Sequence, residues 1–307
     1  MPRFTASDGT RLHYVESGDA GARPIVLIAG FKASASSWRY QVKPLTRAGY
    51  RVIAFDRRGH GASEVGPDAA SSATMDRHGA DIGDLVAHLG LRDATLVGQS
   101  MGGNAIWAHL SADAASTAGR GGAGGSGESQ GSQGSQAAAA ATASAGRAGV
   151  RDIRDVVIVD QTPKMLNTDD WAFGFYDYDA SNADTMFATG IPDPGRFPAK
   201  SKGLVRIARV LTAMDLPKGG RPSFTAAELA LLNDHAKRDW RPAIAAADIP
   251  TFFIAGAESE FWPSAHAAAS AALNPLASST VIERDGHATN IEQPARFNEE
   301  LLAFLAR

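Results

Sequence analysis

The sequence predicts an α/β protein: a mostly parallel, doubly wound sheet with an inserted helical cap. Three observations lead there. Short apolar runs rich in β-branched residues recur along the chain, the pattern of strands buried on both faces. Stretches with helical spacing separate most of them, as right-handed crossovers between parallel strands require. One interval between two strands, residues 161–249, is far too long for a loop and has helical patterns of its own.

Taken in order, the stretch around Leu12 and Tyr14 alternates and fits an antiparallel strand at one edge. Pro24–Gly30, Arg51–Asp56 and Ala94–Gly98 follow as buried strands. Met75–Leu89 sets Ile82, Leu85, Val86 and Leu89 on one helical face, and a second helix opens after Gly98 with NAIWAHL. Asp155–Asp160, Thr251–Gly256 and Ser279–Glu283 are the remaining strands. Pro294–Ala306 opens on a proline, which suits a first helical turn, and repeats Phe297, Leu301, Leu302 and Leu305. The core is then 1–160 with 250–307, and the cap is 161–249. The cap holds WAFGFYDY (Trp171–Tyr178) and helical patterns at Lys202–Met214 and Thr225–Arg238. Within the core, about 111–149 is low-complexity Gly, Ser, Gln and Ala; it has too few large apolar residues to offset ordering entropy, and a flexible surface insertion is expected.

With 44% hydrophobic and 21% charged residues, the chain has the composition of a globular protein with a substantial core. A net charge of -3 gives no electrostatic basis for binding nucleic acid. The absence of cysteine excludes disulfides and thiolate metal sites and is compatible with a reducing cytoplasm, the expected location. The opening MPRFTASDGTRLHYVESG is polar and unlike a signal peptide, and no apolar run is long enough to span a membrane.

The sharpest local signal is Gly98-Gln99-Ser100-Met101-Gly102, set between an expected strand and an expected helix. A serine on such a turn presents its hydroxyl above the sheet, and the helix N-terminus aims free N–H groups at developing negative charge. A serine hydroxyl needs a base within hydrogen-bond reach. His287, between the last strand and the last helix, is the candidate. His60, in DRRGHGAS, reads as a turn residue, and His109 as packing. No HExxH or comparable spacing occurs, so no metal is expected. Three carboxylates lie at strand ends near this edge: Asp160 at the end of Asp155–Asp160, and Glu258 and Glu260 just past Gly256.

AGFKAS (Ala29–Ser34), DRRGHGAS (Asp56–Ser63), GQSMGG (Gly98–Gly103) and GHATNIEQPARFNEEL (Gly286–Leu301) occur in an order that resembles the α/β-hydrolases. The resemblance covers most of the chain outside the insertion and part of the cap. It implies a Ser–His–acid triad, backbone N–H groups of Phe31 and Met101 as the oxyanion hole, and no cofactor. Many members place the acid three residues past the glycine that is Gly256 here, which is Ser259; others place it after the preceding strand, at Asp160. Asp160 is the expected acid, with Glu258 or Glu260 as the alternative. The implied reaction is hydrolysis of a small ester or lactone. The wider group also uses this triad for perhydrolysis, haloperoxidation or C–C bond hydrolysis, and the scaffold can bind ligands without catalysis. Epoxide hydrolases and haloalkane dehalogenases need a carboxylate where Ser100 stands. Trp171, Phe175 and Trp262, with Phe31 nearby, are the expected pocket wall.

Overall fold

A computed structural model describes residues 2–68, 72–121, 152–197, 202–214 and 223–307. Eight strands form one sheet: β1 (Arg3–Thr5), β2 (Arg11–Ser17), β3 (Pro24–Ile28), β4 (Arg51–Phe55), β5 (Ala94–Gln99), β6 (Ile153–Val159), β7 (Thr251–Gly256) and β8 (Ala277–Ile282). Their spatial order is β1-β2-β4-β3-β5-β6-β7-β8. The first two pairings, β1 with β2 and β2 with β4, are antiparallel; all others are parallel. The alternating stretch at Leu12 and Tyr14 is therefore not the edge, because the three-residue β1 lies outside it.

Alternation along the central strands feeds two cores. Ile25 and Leu27 of β3 face one layer, and Val26 and Ile28 the other. The first layer is closed by α1 (Arg39–Arg47) and the C-terminal helix, through Leu45, Phe297 and Leu301. The second is closed by α2 (Met75–His88) and α3 (Met101–Gly121), through Ile82, Leu85, Val86 and Ile106. Helix α1 has Pro44 inside it, which cannot donate to the Tyr40 carbonyl one turn back. Asn298 Nδ2 takes that place at 3.0 Å, so the C-terminal helix supplies the missing bond.

Helix α3 extends to Gly121, well into the stretch expected to be a flexible insertion; the rest of that stretch lies outside the described residues. Between β6 and β7 the chain forms α4 (Leu204–Ala213), α5 (Ala226–Lys237) and the short α6 (Arg241–Ala246). Helix α5 begins with a full capping box, Thr225 and Glu228 each bonding the other's backbone N–H. After β7 come α7 (His266–Ala271), then α8 (Thr289–Glu292) and α9 (Pro294–Leu305). Among the described residues no helix is long and apolar enough to cross a membrane.

The winding direction reverses between β3 and β5: β3 leads to β4 on one side, and β5 leads through β6 and β7 to β8 on the other. In open α/β sheets, sites form at the carboxyl ends of the strands beside such a switch point. The loops after β3 and β5 here start at Ala29 and Ser100.

Candidate active site

Ser100 follows β5 directly and precedes the first residue of α3. Its φ is 53°, in the left-handed region that disfavours any residue with a Cβ. The turn is held by Ser100 N–H donating to Val159 O at 2.9 Å and Gly103 N–H to Ser100 O at 2.7 Å. Its tightness explains the flanking glycines. A Cβ on Gly98 would stand 2.6 Å from the Gly102 carbonyl, and one on Gly102 2.5 Å from Ile28 O. The loop after β3 presses on the same turn, since a Cβ on Gly30 would lie 3.1 Å from Ser100 Cβ. The Phe31 and Met101 backbone N–H groups beside it donate to no acceptor among the described residues.

Asp160 directly follows β6, is fully buried, and also has a positive φ, 43°. Its backbone N–H donates to Ile254 O at 2.6 Å, and its Oδ1 accepts from Gly256 N at 3.0 Å. Oδ2 accepts from Ser259 Oγ at 2.6 Å and meets His287 Nδ1 at 2.7 Å. Burial pushes the Asp160 carboxyl up, but His266 and His287 beside it outweigh this and hold it at about 2. His266 Nε2 stands 3.6 Å from Oδ1, beyond hydrogen-bond range, so the oriented bond is the one to His287.

Glu258 and Glu260 face elsewhere. Glu258 accepts from Arg206 at 2.7 Å. Glu260 Oε2 accepts the His287 backbone N–H at 2.8 Å, and its other oxygen pairs with Lys202. Ser259, at the position where many α/β-hydrolases carry the acid, instead donates to Asp160. An Nδ1–H bound to Asp160 leaves His287 Nε2 as an acceptor. Gln99 Nε2 lies 3.3 Å from that nitrogen and donates to His287 O at 3.0 Å. Ser100 Oγ has no hydrogen bond to His287 among the described residues. Such bonds are often long in free enzymes and tighten with substrate.

A small cavity of about 30 Å³ opens at Ser100, lined by Phe31, Phe175, Leu232, His235, Phe261 and Trp262 among others. Phe261 and Trp262 also pack edge-on against His287, with centroids 4.5 and 5.2 Å away, so one wall joins serine and imidazole. Trp171 lies outside this lining; its indole N–H goes to Thr162 Oγ1 and Lys164 O. His235 was not foreseen. It lies on the inward face of α5 with Leu231 and Leu232, a position whose spacing reads as apolar core. Burial, then Arg57, push it down to about 3, so it is a neutral imidazole in the wall.

Asp285, two residues before His287, is fully buried, and among the described residues neither carboxyl oxygen has a hydrogen-bond partner. Burial, then Glu292 and Asp160, push it up to about 9. A raised carboxyl holds its proton in the fold but releases it near pH 4 when unfolded. Stability from this group is therefore present below about pH 4 and lost progressively as pH rises toward 9. Asp285→Asn removes that loss. The expected outcome in thermal melts is a Tm a few degrees above wild type at pH 8, with little difference at pH 4.5.

Residues 23–113 match the family model described as alpha/beta hydrolase fold. Two solved structures align over nearly the full length. The bromoperoxidase from Bacillus anthracis has a TM-score of 0.68 at 23% identity over 100% of both chains. The esterase from Exiguobacterium antarcticum has 0.69 at 17% over 99% of each. The chain has the α/β-hydrolase fold. Sequence relatives match over a shorter stretch at higher identity. A non-heme haloperoxidase of Rhodococcus erythropolis is 44% identical over 116 residues, which is 38% of this chain and 40% of that protein. The chain thus matches only about two fifths of that relative's length.

Proposed function

We propose that the chain is a serine hydrolase that cleaves a small carboxylic ester or lactone through an acyl-enzyme on Ser100. The observation that carries this reading is the strand-end serine at positive φ, set at the N-terminus of α3 at the same sheet edge as the His287 imidazole, which is bonded to the buried Asp160 carboxylate. Ser100 Oγ attacks the carbonyl carbon as its proton passes to His287 Nε2. The negative oxygen of the tetrahedral intermediate accepts from the Phe31 and Met101 N–H groups. The carbon–oxygen bond to the leaving group then breaks, and His287 returns the proton to that oxygen. Water then attacks the acyl carbon as it gives a proton to the same nitrogen, and His287 returns that proton to Ser100 Oγ as the bond from the carbon to Oγ breaks and the acid is freed. Asp160 keeps the Nδ1–H tautomer and stabilises the imidazolium throughout. Residues 161–249 act as the cap, supplying Phe175, Leu232 and His235 to the pocket wall. A cavity this small favours short acyl groups.

The test is a series of p-nitrophenyl esters from acetate to octanoate, with a γ- and a δ-lactone, on wild type and Ser100→Ala. Turnover is expected to decline with acyl length and to drop at least about 10³-fold in Ser100→Ala. Turnover that survives that substitution overturns the reading. The haloperoxidase likeness supports a second use of the same acyl-enzyme, attack by hydrogen peroxide in place of water. Peroxide-dependent halogenation that outpaces hydrolysis of p-nitrophenyl acetate would favour it.

A further inference from the structure

The DRRGHGAS turn places a buried charge next to the site. Arg57 is 1% exposed, and among the described residues no carboxylate lies within ion-pair distance of it. Asp81, which acts on it only at longer range, is bonded to Arg58 and Arg77 instead. Burying an unpaired guanidinium is costly, and burial pulls its pKa down to about 9.

Its donors have particular destinations. Nε donates to Ala29 O at 2.8 Å and Nη2 to Gly30 O at 2.9 Å. The outer edge meets two imidazoles, His60 Nε2 at 3.3 Å and His78 Nδ1 at 3.0 Å. His60 Nδ1 donates to Arg58 O at 2.8 Å, which leaves its Nε2 free to accept. Burial and then Arg57 keep both rings neutral, so they accept from the cation without repelling it.

Gly30 O belongs to the same peptide unit as the Phe31 N–H. That unit is planar and trans, so fixing its oxygen on one side directs its N–H to the other. The only other bond to Gly30 O among the described residues is a long one from Ala33 N, 3.4 Å, too weak to set the plane alone. Phe31 lines the Ser100 cavity and packs edge-on against His60 at 5.8 Å. We infer that Arg57 is a positioning residue for the oxyanion hole: its guanidinium clamps the Ala29 and Gly30 carbonyls so that the Phe31 N–H is held toward Ser100. Polarising that peptide also makes its N–H a stronger donor.

This rests on the acyl-enzyme reading, and the experiment separates the two. Wild type, Arg57→Met and Arg57→Lys are first titrated with a fluorophosphonate, so that rates are expressed per reactive Ser100. An alkyl trifluoromethyl ketone, which adds to the serine as an oxyanion, is compared with the matching methyl ketone. Arg57→Met should lower kcat about 10- to 100-fold and weaken the trifluoromethyl ketone by a similar factor. KM and methyl ketone affinity should stay within about threefold. Arg57→Lys, which keeps the charge and one donor, should recover part of both losses. A purely structural role would lower Tm and the titratable fraction and leave kcat per labelled site unchanged; that result overturns the inference. A crystal structure of the wild-type trifluoromethyl ketone adduct covers the case in which the variants do not fold. It should show the oxyanion on Phe31 N with Gly30 O still on Arg57, and an oxyanion bound elsewhere overturns the inference. Failure of wild-type Ser100 to react with the fluorophosphonate overturns the acyl-enzyme reading instead.

Discussion

Asp160→Asn is expected to lower kcat by about 10³- to 10⁴-fold with little change in KM. An asparagine keeps an oxygen for Gly256 N–H, so the turn is retained. It loses the charge that stabilises the imidazolium and permits the wrong histidine tautomer. Glu260→Gln, by contrast, keeps an oxygen for the His287 backbone N–H and should change kcat by only a few fold. Near-full activity in Asp160→Asn, with loss in Glu260→Gln, would move the acid to Glu260. The same carboxyl bears on acid stability. Its folded pKa is depressed, so its contribution is present above about pH 4 and lost as pH falls through about 2. The Asp160→Asn protein should lack that part of the acid-denaturation curve.

The second large effect concerns stability. Glu292, at the end of α8, is 1% exposed and is neutralised by two residues from the segment between β6 and β7. Arg206 donates to its Oε2 through Nε and Nη2 at 2.8 and 2.6 Å, and Lys202 Nζ donates to Oε1 at 2.8 Å. Arg206 also reaches Glu258 at 2.7 Å, and Arg209 reaches the Glu292 carbonyl at 2.8 Å. Arg206→Met leaves a buried carboxylate with Lys202 alone, at a cost of about 3 kcal/mol. For a chain of this size that is a fall in Tm on the order of 6 °C. The double variant Arg206→Met/Glu292→Leu removes the stranded charge and should regain most of the loss. Equal Tm values for Arg206→Met and wild type would show that the pair is energetically idle.

The central strands were legible because buried β-strands read as unbroken apolar runs; five of them, and also the edge strand β8, which is only partly buried, fall within a few residues of their observed limits. Helix α1 was not, because Pro44 argues against a helix and its remedy, Asn298, lies 254 residues further along the chain. Ser100 and His287 could be picked out because each is set by its own strand end. The carboxylate was harder. Local spacing points to Ser259 and its flanking glutamates, and only the pairing of β6 with β7 brings Asp160 onto Ser259 and His287. Partners of buried charges were the least visible. Arg206 meets Glu292 across 86 residues, and the targets of Arg57 are backbone carbonyls, which carry no side-chain signal.

The most direct test of the account is covalent labelling. The wild-type protein, incubated with a fluorophosphonate at neutral pH, should gain one adduct mass, and peptide mapping should place it on Ser100. Asp160→Asn should label much more slowly, and Ser100→Ala should not label. Wild-type protein that is folded yet remains unlabelled, or an adduct on any residue other than Ser100, would contradict the account.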